Sequence, residues 1–281
     1  MFQKNLTLKI AGPAGMGIKS GSQLFSKVFQ QHGFFFHDYS EYPSLIRGGH
    51  NTYQATFSDQ EVFASYKTVD IFFSLKPGHW QQHQSEFTKD TLIFSDEPNA
   101  AKPTVGILLQ LPLDSMAKEI GHPLVANTIC LGVTVYLLGL DISIPEGLIQ
   151  SAFGSSSDIN QKALHAGFSY GQKYFSQYQR IIKLPKKSTA KPGFYDGNEA
   201  YGWGFIKGGG NLYAAYPMTP ATGTLHFLAA KQKEHNLTVL HPEDEISAAN
   251  IVAGAAFAGS RAATGTSGGG FALMNEAISF C

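Results

Sequence analysis

Cysteine is nearly missing from this chain: two thiols, Cys130 and Cys281, stand in 281 residues. A pair so widely separated cannot build a disulfide framework, a tetrahedral thiolate zinc site or an iron–sulfur cluster. Charge is also scarce. Only 15% of residues are charged, and Lys+Arg and Asp+Glu balance at 21 each, so no net field attracts a polyanion and nucleic acid is disfavoured as a partner. Long hydrophobic runs are absent. The most apolar stretch, Ile129 to Leu140, falls short of the roughly 20 residues a membrane helix needs and reads as a buried helix. At the N-terminus Lys4 and Lys9 interrupt a strand-like stretch with no apolar signal-peptide region behind them, so a soluble cytoplasmic protein without a membrane partner is expected. What is plentiful is apolar surface. A hydrophobic content of 43% excludes intrinsic disorder, because such a chain can bury enough surface to offset its ordering entropy. At about 150 residues per domain, the length suggests roughly two domains.

The pattern along the chain supports an α/β reading. Leu6–Ala11 alternates as a strand and runs into Gly12-Pro13-Ala14-Gly15-Met16-Gly17; Ile18, Gly21, Leu24, Phe25, Val28 and Phe29 then recur at helical spacing. Strand, glycine loop and helix open a βαβ unit. Further strands are expected at Phe34–Asp38, Asp70–Leu75, Thr91–Ser95 and Val105–Leu109. Asn51–Tyr66 suits a hairpin turning at Ser58-Asp59-Gln60, and helices are expected at Asn127–Leu140 and Ile159–Arg180. Residues 1–183 thus read as an α/β sandwich on a largely parallel sheet. Residues 184–196 form a linker, its first ten residues holding two prolines, three lysines and almost nothing apolar. A second α/β pattern fills 197–281. Helices at Asn198–Lys207, Thr222–Glu234, Asp244–Phe257 and Phe271–Cys281 alternate with strands at Leu212–Ala215, Leu237–His241 and Ala262–Thr264. Three strands are few for a parallel sheet covered on both faces, so this second domain is expected to be incomplete.

Several segments could carry chemistry. The first glycine loop is G-x-x-G-x-G and not the dinucleotide fingerprint, and Pro13 removes one amide; a plain strand-to-helix turn with no ligand accounts for it better. Glu41-Tyr42-Pro43-Ser44-Leu45-Ile46-Arg47-Gly48-Gly49-His50 presents a guanidinium on a Gly-Gly hinge, suited to a carboxylate or phosphate, or is simply a solvated loop. Thr219 lies between Pro217 and Pro220 after a strand, where open α/β sheets bind ligands. Glu243-Asp244-Glu245 opens a helix. Acids there complement the dipole and cap free amides, though three in a row exceed what capping needs. Thr264-Gly265-Thr266-Ser267-Gly268-Gly269-Gly270 exposes amides and hydroxyls before a helix, an anion cradle in outline. The ten histidines are scattered, His79 and His83 at i, i+4 coming closest to a metal-ligand pair, and read as ordinary. There is no P-loop and no nucleophile elbow.

Taken in order, these segments resemble one family. Ala11–Gly17, Glu41-Tyr42-Pro43 and Ile46–Asn51 resemble the gamma domain of 2-oxoacid:ferredoxin oxidoreductases. Gly197–Ala200, Tyr216–Pro220, Glu243–Ala249 and Thr264–Met274 resemble the alpha subunit's pyrimidine-binding domain. The resemblance implies oxidative decarboxylation of a 2-oxoacid such as pyruvate or 2-oxoglutarate, with coenzyme A taking the acyl group and ferredoxin the electrons. Thiamine diphosphate would act as carbanion sink. By position in the motifs, Glu245 matches the carboxylate that bonds the cofactor's pyrimidine nitrogen, and Thr219 matches the threonine that holds the substrate. Thr266 and Ser267 fall in the cofactor loop, and Arg47 is a gamma-domain contact to substrate or coenzyme A. Magnesium and the iron–sulfur cluster would belong to a separate beta subunit, making the enzyme a heteromer that is inactive without it. Family alpha subunits continue further and carry a substrate-binding arginine downstream, so a truncated chain is expected. An inactive or regulatory fragment that binds the beta subunit, or a nucleotide-binding module, are the alternatives.

Overall fold

Alternation with a period of two places the strands of the first half so that both faces of one sheet are buried. The computed structural model describes residues 5–41, 49–97, 102–179 and 193–281, and divides into two compact units, Met1–Gly193 and Phe194–Cys281. Both are α/β.

In the first unit a six-stranded sheet has the order β2-β3-β1-β4-β5-β6, with β1 Asn5–Gly12, β2 Phe35–Glu41, β3 Asn51–Ser58, β4 Val69–Ser74, β5 Phe87–Ser95 and β6 Ile107–Gln110. β1, β4, β5 and β6 run parallel, whereas β3 is antiparallel to both β1 and β2. Leu6, Leu8 and Ile10 of β1, Ile71 and Phe73 of β4, and Leu92 and Phe94 of β5 point to one face, against helices that include α1 Ile18–Gln31, α2 Leu113–Ile120, α3 Ala126–Leu138, α4 Ser143–Phe153 and α5 Ser157–Tyr174. Ala11, Phe72 and Ile93 point to the other, where Trp80 and Phe87 cover them. Trp80 opens a 3-10 segment, Trp80–Glu86. The apolar run at Ile129 does become a buried helix, α3, which is apolar around most of its circumference.

Two expectations need correction here. Asn51–Tyr66 is not a hairpin. Its first half is β3, buried along its whole length between β1 and β2, while the residues past Ser58 form no strand until Val69. β3 pairs instead with the preceding strand β2 and with β1, so the turn at Ser58-Asp59-Gln60 does not return the chain as a partner strand. Likewise the β1–α1–β2 opening is not a simple βαβ unit, because β3 is inserted between the two strands.

In the second unit, β7 Leu212–Ala214 is central to an all-parallel sheet of order β8-β7-β9, flanked by β8 Thr238–Leu240 and β9 Ala262–Ala263. Around it lie α6 Gly197–Lys207, α7 Thr222–His235, α8 Glu245–Phe257, α9 Gly268–Leu273 and α10 Asn275–Phe280. α6 starts with a capping box: the Asp196 carboxylate accepts from the Glu199 backbone N–H at 2.8 Å, and Glu199 accepts from the Asp196 N–H at 3.2 Å. The single helix expected from Phe271 to the end instead begins at Gly268 and breaks at Met274 into α9 and α10. The glycine run Gly268–Gly270 enters the helix where the sequence pattern suggests a loop.

Candidate functional site

In a parallel sheet, ligands bind beyond the carboxyl ends of the strands. The three loops that leave the C-terminal ends of β7, β8 and β9 carry Thr219, the acids at 243–245, and Thr264–Ser267 respectively.

The three consecutive acids have separate fates. Glu243 is exposed. Asp244 is the N-cap of α8, its carboxylate accepting the Ser247 backbone N–H at 2.7 Å, and the hydrogen bonds donated by Ser247 hold it below the usual carboxylate range. The capping role is thereby filled. Glu245 is only 5% exposed, yet among the described residues its carboxylate takes part in no salt bridge. Acidic side chains are almost never so buried without a partner.

Gly270 shows what surrounds that carboxylate. A Cβ at this position would meet Thr266 Oγ1 at 2.0 Å, Glu245 Cγ at 2.8 Å and Glu245 Oε1 at 2.9 Å, so Glu245 and Thr266 close around the same bare Cα. The hydroxyls of Thr264 and Thr266 are buried and form no hydrogen bond among the described residues. Buried polar groups normally find a partner; Thr266 Oγ1 lies beside the Glu245 carboxylate, and Thr264 belongs to the same loop. Tyr213 of β7 supports the loop from beneath, since a Cβ on Gly265 would lie 2.4 Å from its hydroxyl. Burial, with Tyr201 nearby, pushes that phenol up to about 12. An apolar cavity of about 690 Å³ adjoins the loop, lined by Thr264–Gly268 together with Ala249, Val252, Phe271 and Ile278 among others; Glu245 lies outside its lining.

The loop after β7 packs beside this one. Met218 Cε would be 3.7 Å from a Cβ on Gly269, and Ala221 Cβ 3.6 Å from one on Gly265. Thr219, joined to Pro220 by a cis peptide bond, is itself exposed. Ser267 is the N-cap residue of α9 but its side chain caps nothing. The structure thus brings Glu245 and Thr266 together and sets the Thr219 loop alongside, whereas Arg47 lies outside the described residues. In the first unit the glycine loop is tied to α3, Asn127 Nδ2 donating to the Met16 carbonyl at 2.7 Å.

Sequence reasoning did not single out Tyr213 or Thr264 individually, and treated the histidines as ordinary. His50 in fact hydrogen-bonds both His79 and His83. The i, i+4 spacing of the latter two was a signal, but only the fold brings His50 to them.

The architecture has two α/β parts: a first unit on a mixed sheet, and a second with a buried acid and a hydroxyl loop at the ends of parallel strands. Two family models match in the same order: pyruvate ferredoxin/flavodoxin oxidoreductase over residues 7–170, and the thiamine diphosphate-binding part of pyruvate flavodoxin/ferredoxin oxidoreductase over 204–281. The chain belongs to the pyruvate ferredoxin/flavodoxin oxidoreductase family. It is 27% identical to the 2-oxoacid:ferredoxin oxidoreductase subunit alpha of a Sulfolobus species, over 97% of this chain and 51% of the relative. It is 24% identical to the 2-oxoglutarate oxidoreductase subunit KorA of Mycobacterium tuberculosis, over 98% of this chain and 48% of that one. Among solved structures, the 2-oxoglutarate:ferredoxin oxidoreductase of Magnetococcus marinus, determined with 2-oxoglutarate, coenzyme A and succinyl-CoA bound, superposes with a TM-score of 0.78 at 25% identity, over 97% of this chain and 49% of that one. A keto/oxoacid ferredoxin oxidoreductase gamma subunit from Geobacter sulfurreducens, 17% identical over 60% of this chain and 99% of its own, shares the fold with a TM-score of 0.52. The chain spans about half the length of the curated relatives it matches. Among the described residues no helix is long and apolar enough to cross a membrane.

Proposed function

We propose that this chain is the alpha-type, gamma-fused part of a thiamine diphosphate-dependent 2-oxoacid:ferredoxin oxidoreductase. Its second unit would hold the aminopyrimidine end of the cofactor. The observation that carries the reading is the buried Glu245 carboxylate, without a salt bridge among the described residues, beside the orphan hydroxyl of Thr266, with that of Thr264 on the same loop. These groups fit a flat heteroaromatic ring that has both nitrogen acceptors and an amino donor, and whose faces are apolar.

When bound, thiamine diphosphate would supply the electron sink that stabilises the carbanion left by decarboxylation. The chain's own groups do the rest of what concerns this half of the site. Glu245 holds a proton between its carboxylate and a ring nitrogen, and burial strengthens that hydrogen bond by lowering the local dielectric. Thr264 and Thr266 take up the polar edge of the ring or the solvent that replaces it. Thr219, exposed on the neighbouring loop, is free to donate its hydroxyl to a 2-oxoacid. Arg47 is kept as a contact for substrate or coenzyme A. The cofactor's diphosphate and magnesium, and the iron–sulfur cluster, are assigned to a beta-type partner, with ferredoxin as acceptor.

Co-expression of the chain, continued to the length of its curated relatives, with a beta-type subunit of the same family tests this. The purified complex should reduce viologen in the presence of coenzyme A, thiamine diphosphate and either pyruvate or 2-oxoglutarate, while the chain by itself should show neither turnover nor iron–sulfur absorption. A stable, cluster-loaded complex that is silent with every 2-oxoacid would overturn the reading.

A further inference from the structure

His50 stands directly before β3, and its imidazole is engaged at both nitrogens. Nδ1 lies 2.7 Å from Nδ1 of His79, and Nε2 lies 2.6 Å from Nε2 of His83. The ring centroids are 4.9 Å apart in each pair, close to the nitrogen separation plus the two ring radii, so the imidazoles meet edge to edge along the hydrogen bonds. The row continues: His83 Nδ1 is 2.7 Å from Glu86 Oε1, and Lys9 Nζ is 2.7 Å from Glu86 Oε2. Lys9 comes from β1; His79, His83 and Glu86 come from the 3-10 segment and the residue before it.

One end of this row fixes the protons along all of it. Burial pushes the Glu86 carboxyl up, but the hydrogen bonds from His83 and Lys9 outweigh it and hold Glu86 below its ordinary range. Glu86 is therefore an ionised acceptor at both oxygens. His83 donates from Nδ1, and in a neutral ring that leaves Nε2 as an acceptor. His50 must then donate from Nε2, which leaves its Nδ1 to accept from His79 Nδ1. One set of three neutral tautomers satisfies every contact.

We propose that Lys9, Glu86, His83, His50 and His79 form a proton-locked clamp, fastening the start of β3 to the 3-10 segment while the imidazoles are neutral and releasing it on acidification. The first added proton can be absorbed if His50 donates from both nitrogens and His79 reverses its tautomer. A second cannot, because two N–H donors would then face each other across 2.6 or 2.7 Å, with two cations side by side near Lys9. The surroundings agree. Burial, then His83, His79 and Lys9, lower His50 to about 4, with Glu41 of β2 opposing. Burial and His83 lower His79, with Glu97 opposing. The unfolded chain, where histidine titrates near 6.5, binds the extra proton first. Stability is therefore full above about pH 6.5 and is lost as the pH falls toward 4.

The test is nitrogen-15 NMR of the histidine rings in the whole chain. At pH 7.5 we expect His50 as the pure Nε2–H tautomer and His79 and His83 as Nδ1–H, with the His50 titration displaced at least one pH unit below that of an exposed histidine. A mixed His50 tautomer, or titration near 6.5, would overturn the proposal. His50→Gln offers the same acceptor and donor but cannot be protonated. It should keep the melting temperature at pH 7.5 and flatten its decline between pH 6.5 and 4.5; an unchanged decline would also overturn it. If the variant does not fold, the ring spectra of the unaltered chain decide alone.

Discussion

Thr266 Oγ1 reaches so far over Gly270 that a methyl group there would lie 2.0 Å from it, with Glu245 Cγ at 2.8 Å on the same side. Gly270→Ala must push one of these groups out of place. We expect a stability loss of about 1–3 kcal/mol, typical of overpacking, and a loss of cofactor affinity in the assembled enzyme. Gly268→Ala is the control, since a Cβ there meets nothing within 4 Å; it should leave affinity unchanged. Urea denaturation and cofactor titration of the two variants measure both effects. Equal behaviour of the two would mean the 266–270 turn is not tightly packed around Glu245.

The first unit depends on a close helix contact. A Cβ on Gly132 of α3 would lie 2.1 Å from the Leu164 carbonyl oxygen, and one on Gly167 of α5 would lie 2.1 Å from the Ile129 carbonyl oxygen. Both obstacles are backbone, so no rotamer change relieves them. Gly167→Ala should destabilise by about 3 kcal/mol, at the upper end for overpacking, whereas Gly147→Ala in α4, with open space around it, should stabilise by about 0.5–1 kcal/mol. Denaturant midpoints of the two variants separate these outcomes by sign.

Tyr213 gives a pH dependence at the alkaline end. Its phenol is pushed up to about 12 in the folded protein, against about 10 in an unfolded chain. A raised folded value contributes stability that is fully present below pH 10 and is lost as the pH rises toward 12. Melting temperatures between pH 9 and 11 should fall less steeply for Tyr213→Phe than for the unaltered chain. Parallel slopes would show the phenol to be solvated.

What the sequence made legible was what local pattern determines. Helical spacing from Ile18 to Phe29 became α1, the apolar stretch at Ile129 became α3, and the strands at 212–215, 237–241 and 262–264 became the parallel sheet of the second unit. Long-range pairing was not legible. β3 takes partners from β1 and β2, and nothing in its alternation distinguishes that from a hairpin. The site shows the same division. Glu245 and Thr266 were named from motifs, but which of three adjacent acids is buried depends on Asp244 capping α8, which turns Glu243 outward and Glu245 in. The clamp at His50 joins residues 29 and 33 positions apart, a separation that spacing rules for metal ligands or helix faces do not reach.

The account rests on Glu245 acting on the cofactor and not on the helix, and a paired substitution in the assembled enzyme tests that most directly. Glu245→Gln keeps the size and the hydrogen-bonding capacity but supplies an amide where a carboxylate should hold the ring nitrogen's proton. Turnover should fall by about 100-fold or more, the range typical of a lost acid–base group, with the melting temperature little changed. Glu243→Gln, exposed two positions earlier, should cost at most about 0.3–1 kcal/mol of dipole stabilisation and leave turnover intact. Viologen-reduction rates of the two variants under saturating thiamine diphosphate give the answer. Equal, modest losses at both positions, with cofactor activation preserved, would contradict the account.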